Sequence, residues 1–190
     1  MAVAPMKGFF GLGVEGVSKP LNMGAVIRTA HAFGAAFAFS VAPVARTVNY
    51  GGSDTSAAAR SLPYYVFPDV GRMMLPEGTR LVGVEITEDA VDLPSFTHPR
   101  QAAYVLGPER GGLSPDMLAR CDFVVRIPTR FSINLALAGA LVVYDRVRTL
   151  GRFAPRPVRP GGPTEALPAH VHGDLTPFRR RPEEDTSEEY

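Results

Sequence analysis

The sequence predicts an α/β domain, a mostly parallel sheet flanked by helices. Three observations carry that expectation. Short apolar runs alternate with helical patterns from Phe9 to Leu150, as they do where crossover helices join parallel strands. Glycine-rich or polar loops separate the two kinds of segment. A chain of 190 residues, 45% hydrophobic, has apolar surface for one real core.

Phe9 to Glu15 reads as the first strand and Gly16 to Pro20 as a loop. Asn22 to Gly34 reads as a helix capped by Asn22 and closed by Gly34. Val26, Ile27, Ala30 and Phe33 give it an apolar face, and Gly24, Arg28 and His31 share another. Ala36 to Val41 is a second strand, with Phe37 and Phe39 alternating. Val44 to Ser53 is a loop carrying Arg46 and Asn49. Thr55 to Ser61 reads as a short helix, followed by a strand at Tyr64 to Phe67 and a further helix at Asp69 to Leu75. Arg80 to Ile86 and Ala102 to Leu106 are strands. Ser114 then caps a helix over Pro115 to Arg120, with Pro115 at the first helical position. Asp122 to Pro128 is the last strand. A short loop, Thr129 to Asn134, leads into a helix from Leu135 to about Leu150. Its start is apolar all round and therefore buried on several sides. Ala136, Ala138, Gly139 and Ala140 keep it thin. No internal repeat is present.

Composition changes after Gly151. Seven of the 18 prolines lie in 151–190, and Arg179 to Arg181 precede a run of acids. The expected organisation is one domain over 1–150 and a disordered or loosely attached tail over 151–190. The net charge of +1 carries no bulk signal for nucleic acid. The single Cys121 excludes an internal disulfide framework and a cysteine zinc cluster. His170 and His172 have a possible metal spacing, but no further ligands accompany them, so no metal is expected. There is no signal peptide pattern, and the run Leu135 to Tyr144 is too short to span a bilayer. A cytoplasmic protein without membrane partners is the expectation.

Three polar segments follow predicted strands, so a parallel sheet could bring them to one edge. They are Asn22-x-Gly24-x-x-x-Arg28-Thr29, Gly107-x-Glu109-x-x-Gly112-Leu113-Ser114, and Ile127-Pro128 followed by Ser132-Ile133-Asn134. In open parallel sheets the carboxyl edge is where ligands bind. Each segment alone has a bland reading. Asn22 caps a helix, Arg28 is a surface arginine, and Ser132 and Asn134 cap the last helix. The glycine loop reads equally as an ordinary turn with a solvated Glu-Arg pair.

Together and in this order, the segments resemble the three motifs of the SPOUT superfamily of methyltransferases, in its TrmH-like branch. That branch methylates ribose 2′-hydroxyls of RNA. The resemblance covers about residues 9–150. The chain departs from the family in a shorter interval between Pro128 and Ser132, and in Ile133 where Leu is usual. The chain looks like a minimal member, and no extra N-terminal RNA-binding module of the kind some relatives carry is expected.

The resemblance implies a C-terminal trefoil knot, a homodimer with a shared active site, and S-adenosylmethionine as cofactor. It places the adenosine portion against Val84, Gly107, Ile127 and Ile133. Ser132 orients the cofactor or Asn134. It makes Arg28, Asn22, Glu109, Ser132 and Asn134 the catalytic set, with Arg28 contributed by the partner subunit. A guanidinium is effectively always protonated, so an electrostatic role suits Arg28 better than that of a base. Glu109 holds Arg28 or accepts the proton. Arg46, Arg60, Arg110 and Arg130 are the expected phosphate contacts.

The expected reaction is methyl transfer to a ribose 2′-hydroxyl of RNA. A tRNA anticodon-loop ribose is the first candidate and ribosomal RNA the second. The alternatives are a base methyltransferase of the same superfamily and a non-catalytic RNA-binding dimer. A nicotinamide enzyme is disfavoured, because the loop lacks Gly-x-Gly-x-x-Gly and the following acidic residue.

Overall fold

A computed structural model describes residues 8–44, 62–108, 111–151, 153, 160 and 161. Contacts divide the chain at Gly151, and the unit Met6–Leu150 is the one that carries the fold. Its strands are β1 (Phe9–Glu15), β2 (Phe37–Val41), β3 (Tyr64–Phe67), β4 (Arg80–Val84), β5 (Val91–Asp92), β6 (Gln101–Leu106) and β7 (Phe123–Arg126). The helices are α1 (Pro20–Ala32), α2 (Pro115–Arg120) and α3 (Leu135–Leu150). The strands form one sheet in the order β3-β2-β1-β6-β4-β7-β5, and every pairing is parallel.

Period-two alternation sorts the core onto two faces. Phe10, Leu12 and Val14 of β1 and Tyr104 and Leu106 of β6 meet Met23, Ile27, Val142 and Val143 of α1 and α3. Phe37, Phe39, Ala103 and Val105 pack on the other face with Leu113 and Met117. The glycines inside β1 have a packing reason. A methyl group on Gly11 or Gly13 would lie 2.3 or 2.5 Å from the Phe37 and Phe39 rings. The rings of β2 thus lie across β1.

Several sequence expectations need correction. α1 begins at Pro20 with Lys19 as its cap residue, so Asn22 lies within the first turn and does not cap it. Proline's fixed φ starts the helix earlier than the asparagine signal implied. Asp69 to Leu75 is not a helix. Asp69 Oδ1 accepts the Arg72 N–H at 2.8 Å and makes a turn instead. β4 and β7 end two residues early, at Val84 and Arg126. β5 and the 3₁₀ turn Leu93–Ser95 had no sequence signal strong enough to read. The expected helix at Thr55 to Ser61 and nearly all of the tail lie outside the described residues.

The amino edge of the sheet is closed by a buried polar network. Arg146 of α3 is 1% exposed. Its guanidinium donates to the Arg100 carbonyl at 2.7 Å, the Phe9 carbonyl at 3.3 Å and the Pro99 carbonyl, and reaches the Tyr104 hydroxyl at 3.2 Å. Tyr104 Oη lies 2.6 Å from His98 Nδ1, and His98 Nε2 lies 3.1 Å from Asp145 Oδ2. One neutral tautomer satisfies the chain, with Tyr104 donating to Nδ1 and Nε2–H donating to Asp145. Burial lowers the His98 pKa from its ordinary 6.5, and Asp145 offsets part of that.

Candidate active site

The opposite, carboxyl edge holds a cleft of about 450 Å³, within the size range of small-molecule sites. Three loops build it, those leaving β4, β6 and β7. Val84, Leu106, Ile127, Ile133, Leu135 and Ala138 supply its apolar walls, while Glu85, Arg126, Ser132 and Asn134 supply polar groups. A flat apolar ring and a polar tail both find partners there.

The glycine loop after β6 is shaped by two carboxylates that the sequence reading passed over. Glu15, at the end of β1, is 6% exposed and accepts from the Ser114 N–H at 2.8 Å and its hydroxyl at 2.6 Å. Glu85 accepts from the Leu113 N–H and the Ile86 N–H, both at 2.8 Å. A carboxylate accepting backbone N–H groups is a strong anchor. Ser114 also caps α2, accepting from the Met117 N–H at 3.1 Å. Gly112 has φ +71°, and a methyl group there would lie 2.6 Å from Glu85 Oε2. Gly107 is tight for a different reason, since its Cβ would lie 2.7 Å from the Gly112–Leu113 backbone. These glycines let the loop fold back on itself. The signal for Glu15 and Glu85 was their place at the last residue of β1 and one step past β4, where a lone acid reads as solvated.

Asn134 does two jobs. Its Oδ1 accepts from the Ala136 N–H at 2.9 Å, so it caps α3. Its Nδ2 lies 3.5 Å from Asn22 Oδ1, which joins the first and third sequence segments. The bland reading of Asn134 therefore holds together with the functional one.

All five residues expected to hold a cofactor, Val84, Gly107, Ile127, Ser132 and Ile133, line this one cleft, as does Asn134. Asn22 meets it through Asn134. Arg28 is exposed on α1 and does not line the cleft within this chain. Arg130 is exposed on the loop after β7. Glu109, Arg110, Arg46 and Arg60 lie outside the described residues. Among the described residues no cluster of three or more His, Cys, Asp or Glu could hold a metal, and no helix is long and apolar enough to cross a membrane.

The model of the SpoU rRNA methylase family matches residues 10–144, which contain every residue that lines this cleft. The chain belongs to that family. It is 28% identical over 142 residues to a tRNA (guanosine(18)-2′-O)-methyltransferase of Thermus thermophilus, covering 71% of this chain and 72% of the relative. It is 31% identical over 157 residues to the 23S rRNA (guanosine-2′-O-)-methyltransferase RlmB of Coxiella burnetii, covering 76% of this chain and 59% of that one. Among solved structures, the SpoU methyltransferase AviRb of Streptomyces viridochromogenes, in complex with AdoMet, matches with a TM-score of 0.67 at 25% identity. That match covers 77% of this chain and 62% of AviRb. The α/β fold with a parallel sheet is thus the SpoU methyltransferase fold, and the expected family resemblance is met.

Proposed function

We propose that this SpoU family member transfers a methyl group from S-adenosylmethionine to a ribose 2′-hydroxyl of RNA, with tRNA as the first substrate to test and 23S rRNA as the second. The observation that carries the reading is that the segments at 107–112 and 127–134 line one cleft, and that the segment at 22–28 joins it through Asn22, whose Oδ1 lies 3.5 Å from Asn134 Nδ2. Relatives named as ribose 2′-O-methyltransferases of both RNA classes support it. The apolar walls suit a purine, and Glu85, Ser132 and Asn134 suit hydroxyl and amino groups. When bound, the cofactor supplies a methyl group on a sulfonium, already activated for displacement.

The protein's own task is to align a weak nucleophile and help it lose a proton. Arg28 clamps an RNA phosphate bidentately and stabilises the forming alkoxide. Glu109 positions Arg28 or accepts the proton. Asn22 and Asn134 position Arg28 and the ribose, while Ser132 orients the cofactor or Asn134. Arg46, Arg60, Arg110 and Arg130 contact phosphates. Arg28 enters the site from a second copy. α3 supports a homodimer, because Leu137, Leu141 and Tyr144 are 53%, 38% and 54% exposed along one helical stripe. The reading includes a trefoil knot. The order that puts β7 between β4 and β5, with α3 then returning to α1 and β6, supports it. The domain ends near 150, and the protein works in the cytoplasm.

Transfer of labelled methyl from S-adenosylmethionine to total tRNA tests the reaction. A 2′-O-methyl product blocks alkaline cleavage at its linkage, whereas a base methyl leaves it cleavable. Leu141→Arg is expected to shift sedimentation from dimer to monomer and to abolish transfer, because a charge cannot be buried unpaired. Gly112→Ala is expected to weaken cofactor binding about tenfold by calorimetry, since a strained φ and a displaced Glu85 release the Leu113 N–H.

A further inference from the structure

An exposed aromatic side chain stands beside the mouth of the cleft. Phe131 is 76% exposed. It stands on the turn between Thr129 and Ser132, both of which line the cleft. The Thr129 hydroxyl donates to the Phe131 carbonyl at 2.9 Å and lies 3.4 Å from that of Ile127. A backbone tied to the cleft wall therefore presents the ring. Ile86, 60% exposed, lines the same cleft, and Leu21, 69% exposed, adjoins the Asn22 that meets Asn134. One exposed apolar side chain is ordinary on a protein surface. Here Ile86 lines the cleft, and Phe131 and Leu21 are each next in sequence to a residue that lines it or meets its lining.

Arg130 beside the ring is also exposed. An aromatic face and a guanidinium on consecutive residues match the repeating unit of single-stranded RNA, a π-faced base next to a phosphate. The charge argues against an apolar protein partner at this spot. We propose that Phe131 is a stacking platform for an unpaired base of the substrate RNA, with Arg130 on the adjoining phosphate. This rests on the reading that the chain acts on RNA, and it adds a residue that selects unpaired over helical targets.

The test is anisotropy with a fluorescein-labelled single-stranded oligoribonucleotide, together with KM for total tRNA. Phe131→Ala should raise both the Kd and the KM roughly five- to a hundredfold. Phe131→Trp should retain wild-type values, whereas Phe131→Leu should fall with the alanine variant, because stacking needs a π-face. Calorimetric affinity for S-adenosylmethionine and the sedimentation coefficient should stay unchanged in all three. Unchanged RNA affinity in Phe131→Ala, beside an active wild type, would overturn this proposal alone. A parallel loss of cofactor affinity would assign the ring to the cofactor's adenine and overturn it. Dissociation into monomers would assign it to the contact between copies, with the same result. No binding or transfer by the wild-type protein would overturn both this proposal and the functional reading.

Discussion

Arg28→Ala is expected to lower methyl transfer about a thousandfold while leaving cofactor binding intact, the loss typical of removing one preorganised charge stabiliser. A forming alkoxide needs a nearby positive charge, and a guanidinium stays charged at every working pH. Arg28 sits on α1, one turn after the buried Gly24 and on the helix whose first turn meets Asn134. Arg28→Lys should recover only part of the activity, since a point charge cannot grip a phosphate bidentately. Within one chain Arg28 does not line the cleft, so a shared site makes a second prediction. Mixing Arg28→Ala with Ser132→Ala subunits should restore up to about a quarter of wild-type activity, because mixed dimers hold one intact site. Near-normal turnover by Arg28→Ala, or no recovery on mixing, would remove Arg28 from this role.

The polar segments at 22–28, 107–114 and 127–134 were legible because each departs from what a buried strand or helix needs. Asn134 and Ser114 serve as caps, and caps can be read locally. Glu15 and Glu85 were not legible. Their partners, Ser114 and Leu113, lie 99 and 28 residues away, and no local pattern encodes such pairs. The same holds for the sheet. Its strands were visible as apolar runs, but the insertion of β7 between β4 and β5 depends on contacts that only packing reveals. Val91–Asp92 is too short for any alternation to show. Asp69 to Leu75 was misread because Val70, Met73 and Met74 imitate helical spacing, while Asp69 directs a turn through its own side chain. Arg146 was hidden within an apolar helix, where an arginine ordinarily reads as a surface residue.

That arginine yields the largest expected loss of stability. Arg146→Leu keeps much of the volume but strips donors from the Pro99 and Phe9 carbonyls and from Tyr104, and ends a contact with the Phe10 ring, whose centroid lies 5.3 Å from the guanidinium. Unmet buried acceptors of this kind cost on the order of 2–4 kcal/mol together. That should lower the thermal midpoint by about 10 °C. Arg146→Lys should lie between, since one ammonium cannot span the Phe9 carbonyl of β1 and the Pro99 and Arg100 carbonyls before β6. The network also fixes a pH dependence. Burial holds the folded-state pKa of His98 below its ordinary 6.5. The unfolded chain therefore binds the proton first as pH falls, and stability present above about 6.5 is lost below it. The Arg146 charge contributes to that lowering. Arg146→Leu should therefore be less stable than wild type at pH 7.5 but lose less on going to pH 5.5. Urea unfolding at the two pH values measures both differences. Equal losses on acidification would uncouple Arg146 from His98, and an unchanged midpoint at pH 7.5 would show that the carbonyls at the amino edge do not need this guanidinium.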